Sequence, residues 1–107
     1  MTKKNSVINF QQRIKSSKSF QSNRCVRFTY GLFNDEYLYL MVNRKYGSAP
    51  SRNTFKRRVR FLFHNLKKKH ANLSIGLMVK PLKKNVTYSD LKISFVELNK
   101  KINFDIN

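Results

Sequence analysis

The sequence is poor in acidic residues, glycine, proline and cysteine, and each shortage restricts what the protein can be. Five Asp and Glu stand against 23 Lys and Arg in 107 residues, which gives a formal net charge of +18. Three glycines and two prolines leave no Gly- or Pro-rich linker, and neither repeats nor composition breaks divide the chain. We therefore predict a single domain over residues 1–107.

Cysteine and long apolar runs are the other shortages. Cys25 is the only cysteine, so an intrachain disulfide is excluded and a reducing compartment is favoured. We expect this residue to be small, buried and on a strand. No apolar run approaches the length of a membrane span, and the chain turns polar directly after Lys3 and Lys4, without a signal-peptide core. These features predict a cytoplasmic protein.

The positive charge is concentrated in a segment without acids. No acid precedes Asp35, and none lies between Glu36 and Asp90. A generic solvated surface mixes both signs of charge, so this segment indicates a polyanionic partner. Nucleic acid is the first candidate and an anionic membrane surface the second. The basic residues of the segment are Arg44, Lys45, Arg52, Lys56, Arg57, Arg58, Arg60, Lys67, Lys68, Lys69, Lys80, Lys83 and Lys84.

Hydrophobic periodicity predicts alternating helices and strands in a small α/β sandwich. A helical pattern covers residues 6–16, and strand patterns cover residues 24–32, 37–44 and 73–80. Asn34-Asp35 supplies the turn between the first two strands. A long helix is predicted over residues 51–70, with Pro50 in its first turn. Thr87 and Asp90 resemble a capping box that opens a last helix.

The long helix has two separate faces at about 100° per residue. The apolar face predicts docking on the sheet and consists of Phe55, Val59, Leu62, Phe63 and Leu66. The basic face predicts phosphate contacts, because guanidinium groups bind phosphate with two parallel hydrogen bonds. It consists of Arg52, Asn53, Lys56, Arg57, Arg60 and Lys67, and we expect these side chains to lie off the apolar face. Arg58 and Phe61 fall outside both faces.

A catalytic constellation is missing from the sequence. His64 and His70 are the only histidines, and on one helix they point about 120° apart. An acid/base ribonuclease would need both beside one phosphate. One cysteine, two poorly spaced histidines and scattered carboxylates make a metal site unpromising. We predict that the protein alone catalyses nothing and holds no metal.

The segment that leads into the long helix resembles the signature of a known family. Residues 44–60 read RKYGSAPSRNTFKRRVR, which resembles the K-K-x-G-x-A-x-x-R-N-x-x-K-R-x-x-R signature of the bacterial ribonuclease P protein component. Phe10-Gln11, Asn23-Arg24 and Val79-Lys80-Pro81 resemble further family motifs, so the similarity covers roughly residues 10–102. The signature positions that agree are Gly47, Ala49, Arg52, Asn53, Lys56, Arg57 and Arg60. The departures are Ile14, Ser17, Asn43, Arg44, Tyr46 and Pro50.

The resemblance implies an α+β fold of two layers in the order αβββαβα. A left-handed crossover would join two parallel strands around the long helix, and a short edge strand would lie near residues 18–22. The family binds a catalytic RNA and the 5′ leader of precursor tRNA, and assists Mg²⁺-dependent removal of that leader. The protein would thus be a subunit of a ribonucleoprotein endoribonuclease, with catalysis by the RNA and Mg²⁺ bound mainly by the RNA. DNA and membranes are not expected partners.

The resemblance also implies site residues. The RNA-binding set is Arg44, Lys45, Arg52, Asn53, Lys56, Arg57 and Arg60. The leader-binding cleft would use Phe10, Ile14 and Phe28, on the sheet face that the long helix leaves uncovered. Aromatic walls in a basic groove hold single strands by stacking and phosphate contact. The alternative for Phe10 is that it pins its own helix to the sheet.

Two other classes of function stay open on the sequence. A ribosomal or other structural RNA-binding protein would share the charge without needing the fixed motif. A self-sufficient ribonuclease would need an acid/base pair, which the sequence does not offer. Sequencing the RNA that copurifies with the protein from its host separates all three classes.

Overall fold

The computed structural model describes residues 17–32 and 36–106. The predicted first helix over residues 6–16, with Phe10 and Ile14, lies outside this range. The described residues form four strands and two long helices. The strands are β1 (Lys18–Ser22), β2 (Val26–Leu32), β3 (Tyr37–Leu40) and β4 (Ile75–Pro81), and the helices are α1 (Ala49–Lys69) and α2 (Tyr88–Ile106).

The four strands form one sheet in the order β1-β2-β4-β3. β2 pairs antiparallel with β1 and with β4, whereas β3 and β4 are parallel and are joined through α1. The alternation in β2 fits this central position, because Val26, Phe28 and Tyr30 are buried while Arg27 is exposed. The edge strand Lys18–Ser22, which only the family resemblance implied, is present.

The two helices begin where hydroxyl side chains can satisfy free backbone N–H groups. Ser48 Oγ accepts the N–H of Ser51 at 3.3 Å, and Pro50 occupies the first turn of α1. Thr87 Oγ1 accepts the N–H of Asp90 at 3.1 Å and opens α2. The predicted long helix, residues 51–70, is confirmed to within two residues at its start and one at its end.

Both helices pack on the same face of the sheet. The ring of Phe28 in β2 lies 5.1 Å from that of Phe95 in α2, in an edge-to-face arrangement. The apolar face predicted for α1 is buried along with the inner face of α2, and the two helices contact each other. The shared core includes Val26, Phe28, Val59, Leu62, Leu66, Leu77, Val79, Leu91, Phe95, Leu98 and Ile102. The result is a two-layer α+β sandwich, as predicted.

Two local predictions differ from the structure. The third strand ends at Leu40 rather than Arg44, because Asn43 Oδ1 accepts the N–H of Lys45 and starts a 3₁₀ turn over Arg44–Tyr46. Cys25 is fully buried, as expected, but lies in the turn before β2. Its Sγ is 3.3 Å from Ser94 Oγ of α2. Burial raises the pKa of this thiol, which therefore packs as a small neutral side chain.

Candidate nucleic-acid interface

The basic face of α1 is solvent-accessible over most of its predicted residues. Asn53, Arg57 and Arg60 are exposed and Lys56 is half-buried; we call these four residues the basic face from here on. Arg44 and Lys45 are exposed in the 3₁₀ turn that precedes α1. The helix α1 contains no acidic residue, so no carboxylate within it offsets the positive charge of the basic face.

Arg52 was expected off the apolar face, and this expectation is wrong. At about 100° per residue its direction falls between those of Val59 and Phe63, which are both buried. The side chain of Arg52 is half-buried, and its Nε is enclosed without a hydrogen-bond partner within the part of the chain that the structure describes. Arg52 thus points into the sandwich at the start of the helix rather than along its outer basic face.

The basic face lies on the β3 side of the sandwich. Arg58 marks the opposite flank of α1, since its Cζ lies 5.7 Å from the ring centroid of Tyr88 in α2. Lys67, one of the residues predicted for the basic face, reaches Glu36 just before β3, with Nζ and Oε2 3.0 Å apart. The basic face therefore adjoins the β3 edge of the sheet.

The face of the sheet opposite the helices is open to solvent as far as the described residues go. On this face the pairing of the strands places Thr29, Met78 and Tyr39 side by side, and Arg27 beside Lys80. Its outward side chains are Ser19, Gln21, Arg27, Thr29, Tyr37, Tyr39, Met78 and Lys80, which we call the open face. It combines two tyrosines and two cations with no acid.

Two tyrosines dominate the β3 side of the open face. The rings of Tyr37 and Tyr39 are 5.2 Å apart, and Tyr39 is 40% exposed. The Tyr37 ring lies across Gly76 so closely that a Cβ built on Gly76 would come within 1.9 Å of Tyr37 Cε1. Glycine at this position therefore creates the space for the aromatic ring. Stacked or tilted rings of this kind offer π-faces to unpaired bases.

Of the three residues predicted for the leader-binding cleft, one can be placed. Phe28 is fully buried on the helix-covered side, with its ring against Phe20 and Phe95, so its assignment to the cleft is wrong. The period-2 geometry of β2 gives the reason, because Arg27 and Thr29 take the open face and Phe28 takes the core. Phe10 and Ile14 lie outside the described residues.

Several residues of interest were not singled out by sequence reasoning. Tyr37 and Tyr39 were predicted only as parts of a strand, and Lys80 only as one of the basic residues and of a family motif. Their common face depends on the order of β3 and β4 in the sheet. Tyr46, Arg58, Lys83 and Tyr88 line a cleft with Arg52 at the start of α1. Only Arg58 could have been noticed from the sequence, because it falls outside both the basic and the apolar face of α1.

Among residues 17–32 and 36–106, no group of three or more His, Cys, Asp and Glu lies together as a metal site would require. Glu36, Asp90 and Asp105 each contact a lysine instead. These residues do not fit a protein-held Mg²⁺ ion. His70 Nε2 lies 2.7 Å from Asn99 Oδ1, and His64 is exposed elsewhere on α1. No described helix is long and apolar enough to cross a membrane.

The carboxylate of Asp105 fastens the far end of α2 to the sheet. Tyr30 Oη donates to Asp105 Oδ2 at 2.5 Å, and Lys18 Nζ lies 2.9 Å from Oδ1. These two contacts, with that of Tyr30 the larger, hold the pKa of Asp105 below its ordinary value. Burial and the neighbouring carboxylate raise the pKa of Tyr30, so its hydroxyl stays protonated and donating. This cluster supports the sheet rather than forming a reaction site.

The small α+β sandwich thus carries an acid-free basic helix and a sheet face with two aromatic rings. Comparison with known proteins identifies the family. The model of the family described as Ribonuclease P matches residues 3–103. A ribonuclease P protein component from Phytoplasma australiense is 38% identical over 68 residues. That match covers 60% of this chain and 56% of the relative, so it spans about half of the relative's length.

Solved structures agree with the fold. The RNase P protein of Staphylococcus aureus superposes with a TM-score of 0.56 at 25% identity, over 90% of this chain and 89% of that one. The RNase P protein of Thermotoga maritima gives a TM-score of 0.50 at 23% identity, over 88% and 84% of the two chains. The chain belongs to the ribonuclease P protein family.

Proposed function

We propose that this chain is the protein subunit of ribonuclease P and acts by holding RNA. In this proposal the basic face and the Arg44-Lys45 pair bind the catalytic RNA, and the open face binds the 5′ leader of precursor tRNA. The single observation that carries the proposal is the position of the basic face, which flanks the β3 edge where Tyr37 and Tyr39 lie. One RNA complex could thus contact both surfaces of the protein.

The two surfaces suit different parts of an RNA. Arg57 and Arg60 are exposed guanidinium groups, which suit the regularly spaced phosphates of a folded RNA. The open face combines Tyr39 with Arg27 and Lys80, which suits the bases and phosphates of an unpaired strand. The protein would position the leader, while the RNA with its own Mg²⁺ would hydrolyse the phosphodiester bond and free the mature 5′ end.

Reconstitution tests this division of labour. Purified protein, the cognate catalytic RNA and precursor tRNA are combined, and 5′ processing is followed on gels across Mg²⁺ concentrations. We expect no correct cleavage by the protein alone, because the described residues contain no cluster that could hold a metal ion and His70 contacts Asn99 rather than a second catalytic group. We expect the protein to raise the rate of the RNA most strongly at low Mg²⁺. Correct processing by RNA-free protein would contradict the proposal.

A ribosomal or other structural RNA-binding role is the alternative, since it would use the same basic helix. Isolation of the protein from its host, followed by sequencing of the bound RNA, decides between the two. Enrichment of one discrete RNA that processes precursor tRNA supports the ribonuclease P role. Recovery of ribosomal RNA alone would replace that role with the alternative.

A further inference from the structure

A second concave surface lies on the helix side of the molecule, away from the open face. It is a cleft of about 500 Å³ between the 3₁₀ turn, the first turns of α1 and the loop that enters α2. This volume is within the range of about 300–1,000 Å³ that small-ligand sites occupy. The lining residues on which binding would depend include Val42, Tyr46, Arg52, Arg58, Lys83 and Tyr88.

The charged groups of the cleft favour an anion. Arg52, Arg58 and Lys83 line it, and none of its lining residues is acidic. Arg52 Nε is buried and has no acceptor within the described chain, and an unsatisfied buried donor is costly until an acceptor arrives. Asp90 approaches from outside the lining, at 3.6 Å from Lys83 Nζ. Among the described residues no carboxylate forms an ion pair with Arg52 or Arg58. A phosphate group can accept hydrogen bonds from both guanidinium groups and offset their positive charge.

The remaining wall of the cleft favours a flat ring. Tyr46 and Tyr88 are half-buried and present aromatic surface, and Val42 and Val86 supply apolar contact. The guanidinium of Arg58 already lies near the ring of Tyr88, and Lys45 lies 5.0 Å from the ring of Tyr46. Rings and guanidinium planes are the surfaces on which unpaired bases stack. A phosphate site beside a surface for base stacking suits a nucleotide.

The cleft is also held in shape before any ligand arrives. Asn43 fixes the turn that carries Tyr46, and Ser48 fixes the start of α1 that carries Arg52. Thr87 fixes the start of α2 that carries Tyr88. Asn85 takes a left-handed backbone conformation, φ 57°, which asparagine tolerates better than most residues. Pre-formed walls reduce the entropy that binding would otherwise cost.

We propose that this cleft binds one unstacked nucleotide of the partner RNA, with its phosphate at Arg52, Arg58 and Lys83 and its base against the tyrosine rings. Arg52 of the cleft directly precedes Asn53 of the basic face in the chain, so an RNA on the basic face could insert a single nucleotide there. This inference rests on the proposed function and adds a defined pocket to it. The same chemistry would accept a free mononucleotide, and the experiment separates the two sources.

The first arm uses isotope-labelled protein and NMR titration with 5′-AMP, adenosine and inorganic phosphate. We expect saturable shifts at Arg52, Arg58 and Tyr88 with 5′-AMP, and affinity at least tenfold weaker for either fragment. Arg58→Gln keeps both tyrosines and should abolish the preference for 5′-AMP over adenosine. Absence of saturable shifts around the cleft, in protein that is folded by its spectrum, would overturn the inference.

The second arm measures the affinity of the catalytic RNA for Tyr46→Leu and Tyr88→Leu proteins. Loss of base stacking should weaken binding by about five- to 150-fold. Phe104→Leu makes the same change at a position that is 83% exposed and outside the cleft, and should leave binding unchanged. Melting curves identify variants that do not fold, and Arg58→Gln then takes their place.

The outcomes separate this inference from the function on which it rests. If wild-type, Tyr46→Leu and Tyr88→Leu proteins bind the RNA equally, insertion of an RNA nucleotide into the cleft is refuted and the subunit role stands. If 5′-AMP saturates the cleft but RNA affinity is unchanged in both tyrosine variants, the cleft binds free nucleotides. The proposal that it binds a nucleotide of the RNA then fails. If neither wild-type nor Phe104→Leu protein binds the catalytic RNA, the proposed function fails and the pocket assignment fails with it.

Discussion

One carboxylate, that of Asp105, joins three parts of the fold at the level of single residues. Tyr30 of β2 and Lys18 of β1 both bind it, although Asp105 belongs to α2. The carboxylate is largely shielded from water while Lys18 is exposed, so the hydrogen bond from Tyr30 matters more than the ion pair. We therefore expect Asp105 to stabilise the packing of α2 against the sheet edge.

Asp105→Asn should lower the free energy of unfolding by about 1 kcal/mol at pH 7, because a neutral amide accepts more weakly than a carboxylate. The folded pKa of Asp105 is below its ordinary value of 3.8. The carboxylate of Asp105 therefore contributes fully to the free energy of unfolding above pH 3.8. This contribution is lost as the pH falls through the lower pKa of the folded state. Urea unfolding of both proteins at pH 7 and pH 3 checks this. A stability gap that does not shrink at pH 3 would contradict it.

Lys56→Ala should weaken binding to the catalytic RNA and reduce the slope of log affinity against log salt by up to about one unit. The reason is the loss of a phosphate contact on the basic face. Lys69→Ala removes the same charge from the same helix, but at an exposed position on the flank toward α2. Filter binding at several salt concentrations compares them. Equal losses in both variants would indicate general charge attraction instead of a defined face.

These single positions show where sequence reasoning reached its limit. Helical geometry separated the basic and apolar faces of α1 correctly for Arg57, Arg60 and Leu62. Arg52 was assigned to the basic face by its charge, although the same geometry places it between the buried Val59 and Phe63, where it lines a cleft. Phe28 was misplaced because a shift of one residue along a strand exchanges its two faces.

At the level of elements, α1 owes its position to a few buried side chains. Leu62 is 9% exposed and lies in the shared core, whereas its neighbour Phe61 is 55% exposed. Leu62→Ala should cost about 2–5 kcal/mol of unfolding free energy, because it removes buried methyl groups and leaves a cavity. Phe61→Ala is the matched control and should cost far less. Denaturant unfolding of both variants measures these losses of stability. Similar losses for the two variants would mean that Leu62 is not the side chain that α1 buries in the core.

β4 controls the aromatic part of the open face through Gly76. Gly76→Ala should push the Tyr37 ring off the sheet, because the new Cβ would overlap it. Gly31→Ala is the control on the neighbouring strand, since there the nearest atom to a new Cβ is Ser17 Oγ at 3.3 Å. We expect large changes in the NMR signals of the Tyr37 ring in the first variant only. An unchanged ring spectrum for Gly76→Ala would contradict this packing.

The elements were the most predictable level of the structure. The caps at Ser48 and Thr87 act locally, and the apolar period of α1 needs no knowledge of its partners. β3 was predicted to be too long because the 3₁₀ turn depends on one hydrogen bond, which the side chain of Asn43 accepts from the N–H of Lys45. The edge strand β1 alternates weakly in burial, so only the family resemblance anticipated it.

At the level of the whole molecule, the layering decides which surfaces remain for RNA. Sequence patterns required α1 to cover one face of the sheet, but they could not assign α2 to that same face. The contacts of Phe95 with Phe28 and of Asp105 with Tyr30 make this assignment. Since both described helices share one side, the tyrosines of β3 are left on the other.

This layering predicts that contacts with the leader and with the rest of the RNA can be separated. Tyr39→Leu should weaken binding of precursor tRNA with a long leader by about five- to 150-fold, because base stacking on the open face is lost. Binding of mature tRNA, which has no leader, should not change. Lys56→Ala, on the basic face, should instead weaken the holoenzyme's assembly for both substrates alike.

Titration of reconstituted holoenzyme with precursor tRNAs of increasing leader length measures this difference. The advantage of a long leader over a short one should be present in wild-type and Phe104→Leu proteins and should disappear in Tyr39→Leu protein. The ring of Tyr39 is 40% exposed and lies 5.2 Å from that of Tyr37, so melting curves accompany the titration and identify any loss of folded protein. If Tyr39→Leu protein retains the full dependence on leader length, the leader does not lie on the open face, and the two tyrosines of β3 serve only to pack against the sheet.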